Sequence, residues 1–495
     1  MPDPRRASQP WILAAAILGS SLVFIDSTVV SIALPVLQDT FHASASAAQW
    51  VVESYTLVLG ALMLLSGALG DRYGRRLLFI SGVVVFAIGS VLCGLSNSMA
   101  ELIAARVLQG IGGTMLAPAS LALIGACFEG ADRGKAIGTW SGLTSVASAI
   151  GPVAGGAIID HLGWRWAFFI NIPIALAVVL IALRHVPESR DEGERGTPDI
   201  AGSLLITGGL AGIVYAFVAS GQDGWNAATI AALCAGALAL AAFVLFESKA
   251  ADPILPLKLF ARRDFTGINV MTLLIYGALS GLFYFLPFVM IQVDGYTATV
   301  TGAAMLPFIV LMVLLSRFSG ALAYRIGPRT VLVTGSVITT CGFALFGILH
   351  DLHYWNGIFP AITMVALGMG FTVAPLTATL LESVPEEHVG LASGINNATS
   401  RVAGLLAIAV FGALLSGVFY ARLGSQSASL SPQQRRDVAA QRSQLAAARL
   451  HDPAETAVVH RAYVDGFRTV AYASAALTLL SAAVAALTLP KTRRT

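Results

Sequence analysis

About fourteen stretches of this chain are apolar for long enough to cross a lipid bilayer, and that feature constrains its fold more than any other. A hydrocarbon core about 30 Å thick takes roughly 20 residues of α-helix per crossing. The runs fall at 11–37, 48–69, 77–96, 100–127, 134–159, 164–184, 200–221, 226–247, 266–292, 299–324, 328–350, 355–381, 389–420 and 466–490. Composition agrees: 56% of the 495 residues are hydrophobic and only 12% are charged, against about 25% charged in soluble domains. That excludes a water-soluble multidomain enzyme, a disordered chain and a disulfide-stapled secreted protein. A net charge of +3 without a dense basic tract excludes a nucleic-acid partner. Cys93, Cys127, Cys234 and Cys341 lie in apolar runs and form no CxxC pair, so they read as small packing residues and no metal site is expected. The chain reads as an all-α integral membrane protein.

The basic residues orient it. About nineteen of the 30 Lys and Arg fall in loops on the side of the N-terminus, among them Arg5, Arg6, Arg72, Arg75, Arg76, Arg133, Lys135, Arg195, Lys491, Arg493 and Arg494. The short loops opposite hold almost only Arg165. Cytoplasmic loops are the Lys/Arg-rich ones, so both termini are expected in the cytoplasm and the localisation is a cell membrane. The loop 421–461 dissents, being outside yet carrying Arg422, Arg435, Arg436, Arg442, Arg449 and Arg461. Its stretch from Gln433 to Leu450 is expected to form a surface helix or hairpin lid. The first run is long, contains Asp26 and has no small-residue cleavage site after it, so it reads as a retained anchor rather than a signal peptide.

An internal repeat sets the architecture. GALGDRYGRRLLFISG (Gly67–Gly82) follows the second run, and GALAYRIGPRTVLVTG (Gly320–Gly335) follows the tenth. Eight crossings separate the copies, so both face the same side, as in parallel-repeat transporters. The expected plan is six helices, two inserted helices and six helices in two pseudo-symmetric halves. Its divisions are an N-tail 1–10, a first half 11–185, a linker 186–199, an inserted segment 200–265, a second half 266–490 and a C-tail 491–495.

These residues resemble the major facilitator superfamily, in its fourteen-helix drug:proton antiporter branch, over essentially the whole chain. GALGDRYGRR looks like the signature between helices 2 and 3, and FIDSTVVSIALP (Phe24–Pro35) resembles the branch's helix-1 signature. RVLQGIGG (Arg106–Gly113) resembles the helix-4 motif, and AIGPVAGG (Ala149–Gly156) the helix-5 antiporter motif, with Ala147 where a glycine usually opens it. WRWAFFINIP at Trp164, DIAGSLL at Asp199 and SGINNATSRVAG at Ser393 are also similar to this branch. The resemblance implies the major facilitator fold and proton-coupled export of lipophilic, often cationic compounds. The alternative is a dedicated exporter of one endogenous metabolite. It also implies proton coupling through the helix-1 Asp and the helix-4 Arg.

Three ionisable residues carry that expectation. A charge in mid-helix costs about 2.5–3.5 kcal/mol on insertion scales, so Asp26, Glu53 and Arg106 need a reason to be there. All three are expected at similar depth in the outer half of the membrane, about 22 Å up the first helix for Asp26 at 1.5 Å per residue. Desolvation and mutual repulsion favour protonated carboxyls, and a nearby Arg opposes this. The set is therefore expected to exchange a proton against a cationic substrate, with Asp26 and Glu53 also contacting substrate. An acid at the Glu53 position in WVVESYTL resembles quaternary-ammonium exporters of the QacA type.

Other residues are expected to gate or to bind. Asp71 with Arg72, Arg75 and Arg76 reads as a cytoplasmic gate, with Gly67, Gly70 and Gly74 permitting close approach and a tight turn. Asp71 is expected to dock on a helix N-terminus of the other half. Gly151, Pro152, Gly155 and Gly156 are expected to kink the fifth helix and pack it tightly, controlling outward opening. On the ninth run Tyr276, Phe283, Tyr284, Phe285, Phe288 and Gln292 offer faces for lipophilic cations. Asn396, Asn397 and Arg401 on the thirteenth complete the expected substrate surface. No ATP-binding signature, HExxH or GxSxG occurs, so no catalytic residue and no cofactor are expected. The energy would come from a proton gradient. Expected partners are small-molecule substrates, protons and the bilayer, for a monomer with no adaptor indicated.

Overall fold

A computed structural model describes residues 4–190, 199–250, 255–349, 353–385 and 388–490. The expectations at Arg195, Lys491, Arg493 and Arg494, and most of the linker and the C-tail, lie outside the described residues. Among those residues there is no β-strand, and thirteen helices are long and apolar enough to cross a membrane, plus one bent pair. The chain is a multi-pass membrane protein.

In chain order the helices are α1 (Pro4–Thr40), α2 (Ala45–Ala61), α3 (Met63–Tyr73), α4 (Arg75–Leu95), α5 (Met99–Cys127) and α6 (Gly130–Leu162). There follow α7 (Trp166–Phe169), α8 (Asn171–His185), α9 (Ile200–Asp223), α10 (Ala227–Glu247), α11 (Arg263–Phe288) and α12 (Ala298–Ala304). The last six are α13 (Leu306–Ile326), α14 (Pro328–Ile348), α15 (Phe359–Glu382), α16 (Val389–Gln426), α17 (Pro432–Gln441) and α18 (Pro453–Thr488). Three expected single runs are interrupted. The second bends by 54° between α2 and α3. The sixth is divided at Ile170 into α7 and α8, and the tenth at Met305 into α12 and α13. The last helix starts at Pro453 rather than near 466, because helix continues past the apolar segment into polar sequence. Asp452 caps it by accepting from the Ala454 N–H.

The expected helix in the dissenting loop is α17, opened by a capping box in which Ser431 and Gln434 exchange hydrogen bonds. Val438 is its buried apolar residue, and Leu445, Ala446 and Ala447 are buried in the turn that follows it.

The structure divides into two compact units: Met1–Ala43 with Trp50–Leu210 and Thr297–Ala303, and Ser44–Gln49 with Ala211–Tyr296 and Ala304–Thr495. In the first unit Leu22, Phe79, Phe86 and Leu116 form the buried core. Small residues let its helices approach closely. A Cβ on Gly89 would lie 2.7 Å from the Gln109 backbone, and one on Gly112 would strike the Phe86 backbone nitrogen. The α4–α5 seam is therefore backbone against backbone, which brings Ser90 against Gln109. In the second unit α11, α14, α15, α16 and α18 surround Phe265, Phe343, Phe346, Phe419 and Phe467. Gln49 joins that unit by donating to the Ile408 carbonyl on α16 at 2.9 Å.

The repeated turn takes the same form in both copies. Gly74 has φ +123° and its N–H reaches the Gly70 carbonyl; Gly327 has φ +89° and its N–H reaches the Ala323 carbonyl. Only glycine adopts that backbone without strain, so each copy is a helix, one left-handed glycine and a second helix.

Candidate functional site

Four helices of the first unit place polar side chains around Asp26, which is wholly buried on α1. Arg106 of α5 brings Nη1 to 2.5 Å from Asp26 Oδ2, at 1% and 0% side-chain exposure. The same nitrogen donates to Gln109 Oε1 at 2.6 Å, and Nε donates to the Val51 carbonyl at 3.1 Å. The guanidinium carbon lies 4.0 Å from the centre of the Tyr55 ring. Gln109 donates its Nε2 to Asp26 Oδ1 and to Ser90 Oγ, both at 2.7 Å. Asn171, the first residue of α8, donates its Nδ2 to Asp26 Oδ1 at 3.2 Å and to Ser90 Oγ at 2.9 Å. Cys93 Sγ approaches Gln109 Oε1 at 3.6 Å.

This arrangement answers the cost of burying charge. An ion pair removed from water is tolerated only when geometry is good and the remaining lone pairs and protons are satisfied. Here the carboxylate accepts three hydrogen bonds, and the Arg has a carbonyl, an amide oxygen and a ring besides its counter-ion. Ser90, Gln109 and Asn171 have no charge and stand singly in apolar runs, so sequence reasoning did not find them. The available signals were that Gln109 lies three residues after Arg106, one helical turn on, and that Asn171 sits in WRWAFFINIP.

Glu53 is also wholly buried, on α2. Val51 and Tyr55, four residues apart, turn toward Arg106. At 100° per residue Glu53 lies on the opposite side of the helix, the side of Gln49. The expected single set of two carboxylates and one Arg is thus drawn as an Asp26–Arg106 pair, with Glu53 on another face. Asp26 has no exposed surface, so in this conformation no substrate atom contacts it.

At the repeated turn Asp71 Oδ1 accepts from Arg75 Nε at 3.0 Å and Nη2 at 2.8 Å. The carboxylate that sits on a helix N-terminus here is another one, Glu188. Its two oxygens accept the N–H groups of Arg76 and Leu77 at 3.1 Å, satisfying orphan donors at the start of α4. Arg75 N–H donates to the Ser189 carbonyl, and Arg76 Nη2 to the Leu183 carbonyl at 2.8 Å. Arg72 is exposed beside the Tyr73 ring. Gly74 is needed twice, for its φ and because a Cβ there would lie 2.6 Å from Glu188 Oε1. A Cβ on Gly70 would meet Leu78 at 3.1 Å, and one on Gly67 would meet nothing within 4 Å.

The Gly/Pro segment of α6 is tightly packed. Added Cβ atoms on Gly151 and Gly155 would strike Thr28 and Val29 of α1, and one on Gly156 the Ala298 carbonyl; from the facing side, one on Gly302 would strike the Pro152 carbonyl. One helical turn beyond Gly156, Asp160 accepts the N–H groups of Ala298 at 3.1 Å and Thr299 at 2.8 Å and the Thr299 hydroxyl at 2.5 Å. The segment Thr297–Ala303 is thereby seated on α6.

In the second unit the aromatic residues of α11 separate. Tyr284, Phe285 and Phe288 are buried and pack on one another, with the Tyr284 ring 4.7 Å and 5.6 Å from the other two ring centres. Phe283 packs on Phe308 of α13 at 4.9 Å, while Tyr276 and Gln292 are half-buried. Asn396 of α16 donates to Asn269 Oδ1 at 3.2 Å and Thr272 Oγ1 at 2.7 Å, both on α11. That side chain ties two helices together. Asn397 is exposed and Arg401 half-buried.

The sequence profile of the Major Facilitator Superfamily matches residues 16–408. The chain is 36% identical over 434 residues to the puromycin resistance protein pur8 of Streptomyces alboniger, covering 86% of this chain and 85% of that protein. It is 34% identical over 416 residues to the tetracenomycin C resistance and export protein of Streptomyces glaucescens, covering 82% and 76%. The multidrug efflux pump LfrA of Mycolicibacterium smegmatis is 32% identical over 487 residues, 97% and 96% of the two chains. Among solved structures, a bacterial homolog of the human lysosomal transporter Spinster, inward-facing and unoccupied, superposes with a TM-score of 0.68 at 17% identity, covering 99% and 97%. That likeness concerns the fold.

Proposed function

The chain belongs to the Major Facilitator Superfamily, whose members move small molecules across membranes, and from that premise we propose that it exports lipophilic, often cationic compounds in exchange for protons. It works in a cell membrane with both termini in the cytoplasm, as a monomer, with a proton gradient as its energy source and without a catalytic step. The observation that carries this reading is the wholly buried Asp26–Arg106 pair and its neutral polar partners. When Asp26 takes up a proton, Arg106 retains the Gln109 oxygen, the Val51 carbonyl and the Tyr55 ring. Protonation therefore changes the charge of the site without leaving the guanidinium unpartnered, which a purely structural ion pair does not require. A proton adds one unit of charge there, worth about 2.3 kcal/mol per 100 mV if it crosses the whole membrane.

Names among the relatives support a drug cargo, since one is a multidrug efflux pump. Two others are named for single antibiotics, which favours the second reading, export of one defined compound. Efflux from vesicles loaded with dyes and quaternary ammonium compounds, with and without an imposed pH difference, tests the exchange. A resistance panel run beside it separates the readings: broad protection supports multidrug export, protection against one compound the dedicated exporter. Efflux indifferent to the pH difference overturns the proton exchange.

A further inference from the structure

Two amides touch Asp26, and they are held differently. Gln109 is fixed at both ends, its oxygen by Arg106 and Cys93 and its nitrogen by Asp26 and Ser90. Asn171 is fixed at one. Its Nδ2 meets Asp26 and Ser90, while its Oδ1 is buried without a hydrogen-bond partner and the whole side chain has no exposed surface. A carboxylate only accepts hydrogen bonds, so while Asp26 is ionised the amide nitrogen must face it. A carboxylic acid also donates, and then an acceptor is needed in a pocket that water does not reach.

We propose that Asn171 is a positioning residue that turns over with the proton. When a proton from the aqueous phase binds Asp26 Oδ1, a half-turn of the Asn171 amide about Cβ–Cγ presents its oxygen to the new O–H. Ser90 follows by donating its hydroxyl instead of accepting, as a hydroxyl can do either. When the proton leaves, the amide turns back. The far atom of the amide has no partner holding it, so Asp26 and Ser90 alone select the orientation. Gln109 cannot do this, because turning it would set its NH2 against the Arg106 guanidinium. The charged and titratable groups facing this cluster are Arg106 of α5, Cys93 of α4 and Tyr55 of α2; α8 contributes the neutral Asn171. The inference rests on the proton-exchange reading of Asp26 and adds the residue that serves both of its states.

The test is infrared difference spectroscopy between acidic and neutral pH on the full-length protein in liposomes, with asparagine carrying a 13C side-chain amide. A carboxyl band that Asp26→Asn abolishes reports the proton. The expected result is an isotope-sensitive asparagine band that changes with the same pH midpoint and vanishes in Asn171→Leu. In proton-driven efflux, Asn171→Ser keeps a group that both donates and accepts and stays close to wild type. Asn171→Leu falls by about tenfold at equal protein level and melting temperature, the scale of one hydrogen bond to a charged group. A titrating Asp26 band with a silent asparagine, or a Leu variant as active as the Ser variant, overturns the inference alone. If no Asp26-dependent carboxyl band forms in the wild type, the proton-exchange reading falls and takes the inference with it. The labelled wild-type measurement decides the matter even if Asn171→Leu does not fold.

Discussion

The Glu188 carboxylate occupies the space that a side chain on Gly74 would need, with Oε1 2.6 Å from the position of a Cβ there. It binds the first N–H groups of α4 from that place. Gly74→Ala is therefore expected to lose both the turn and the cap. A left-handed backbone costs a side-chain-bearing residue about 1–2 kcal/mol before the collision is counted. Gly67→Ala meets open space and is expected to behave as wild type. Melting temperature and drug resistance of the two variants, at matched expression, check the contrast; equal effects would remove the special role given to Gly74.

Asp26 and Arg106 should differ in what their removal does. Asp26→Asn leaves Arg106 its amide, carbonyl and ring partners. The protein is then expected to insert and fold, losing about 1.5–3 kcal/mol for a hydrogen bond to a charged group, while proton-driven efflux drops to background. Arg106→Ala leaves a buried carboxylate with two neutral amides and no counter-ion, and is expected to cost about 3–5 kcal/mol. Thermal unfolding in detergent ranks the two, and wild-type transport by Asp26→Asn would exclude that residue from coupling.

The Gly/Pro segment of α6 makes a sharper contrast between neighbours. A methyl group on Gly156 collides with the Ala298 carbonyl, which is backbone, whereas one on Gly155 meets only the Val29 side chain at 2.7 Å. Gly156→Ala is expected to unseat Thr297–Ala303 and expose Ala298, which is buried, and Gly155→Ala to cost less, because the Val29 side chain shifts more easily than a backbone carbonyl. Labelling of a cysteine placed at Ala298 with an impermeant maleimide measures this: much faster in the Gly156 variant.

How far the sequence alone reaches follows from which physical signals are strong. An apolar run of 20 residues has one stable form in a bilayer, so the crossings can be placed from hydropathy. A charge in such a run demands a partner, so Asp26 and Arg106 announce each other. The glycines at 74 and 327 show through because a repeated Gly/Arg turn is rare by chance. Neutral polar residues carry no comparable penalty, so Ser90, Gln109 and Asn171 are visible only once the α4–α5 and α1–α8 seams are assembled. Breaks at Leu62, Ile170 and Met305 depend on packing and leave hydropathy unchanged. Nor does residue type reveal that Asn396 ties α16 to α11 or that the Tyr284 ring packs on Phe285 and Phe288 of its own helix.

Glu53 shows how helical phase refines a reading based on depth. Its level expected from the sequence is that of Asp26, but Val51 and Tyr55 claim the Arg106 side of α2 and leave Glu53 on the other. Under the proposed function, an acid on that face is assigned to the cargo, through its charge, and not to the Asp26 proton. Glu53→Gln is therefore expected to leave the pH dependence of monovalent-cation efflux unchanged and to reduce divalent-cation efflux more strongly, because two positive charges gain twice the Coulomb energy from one carboxylate at equal distance. Parallel efflux assays with a monovalent and a divalent quaternary ammonium compound of matched hydrophobicity measure the ratio. Equal losses for both cargoes would show that Glu53 does not count charge, and a shifted pH profile would return it to the proton site.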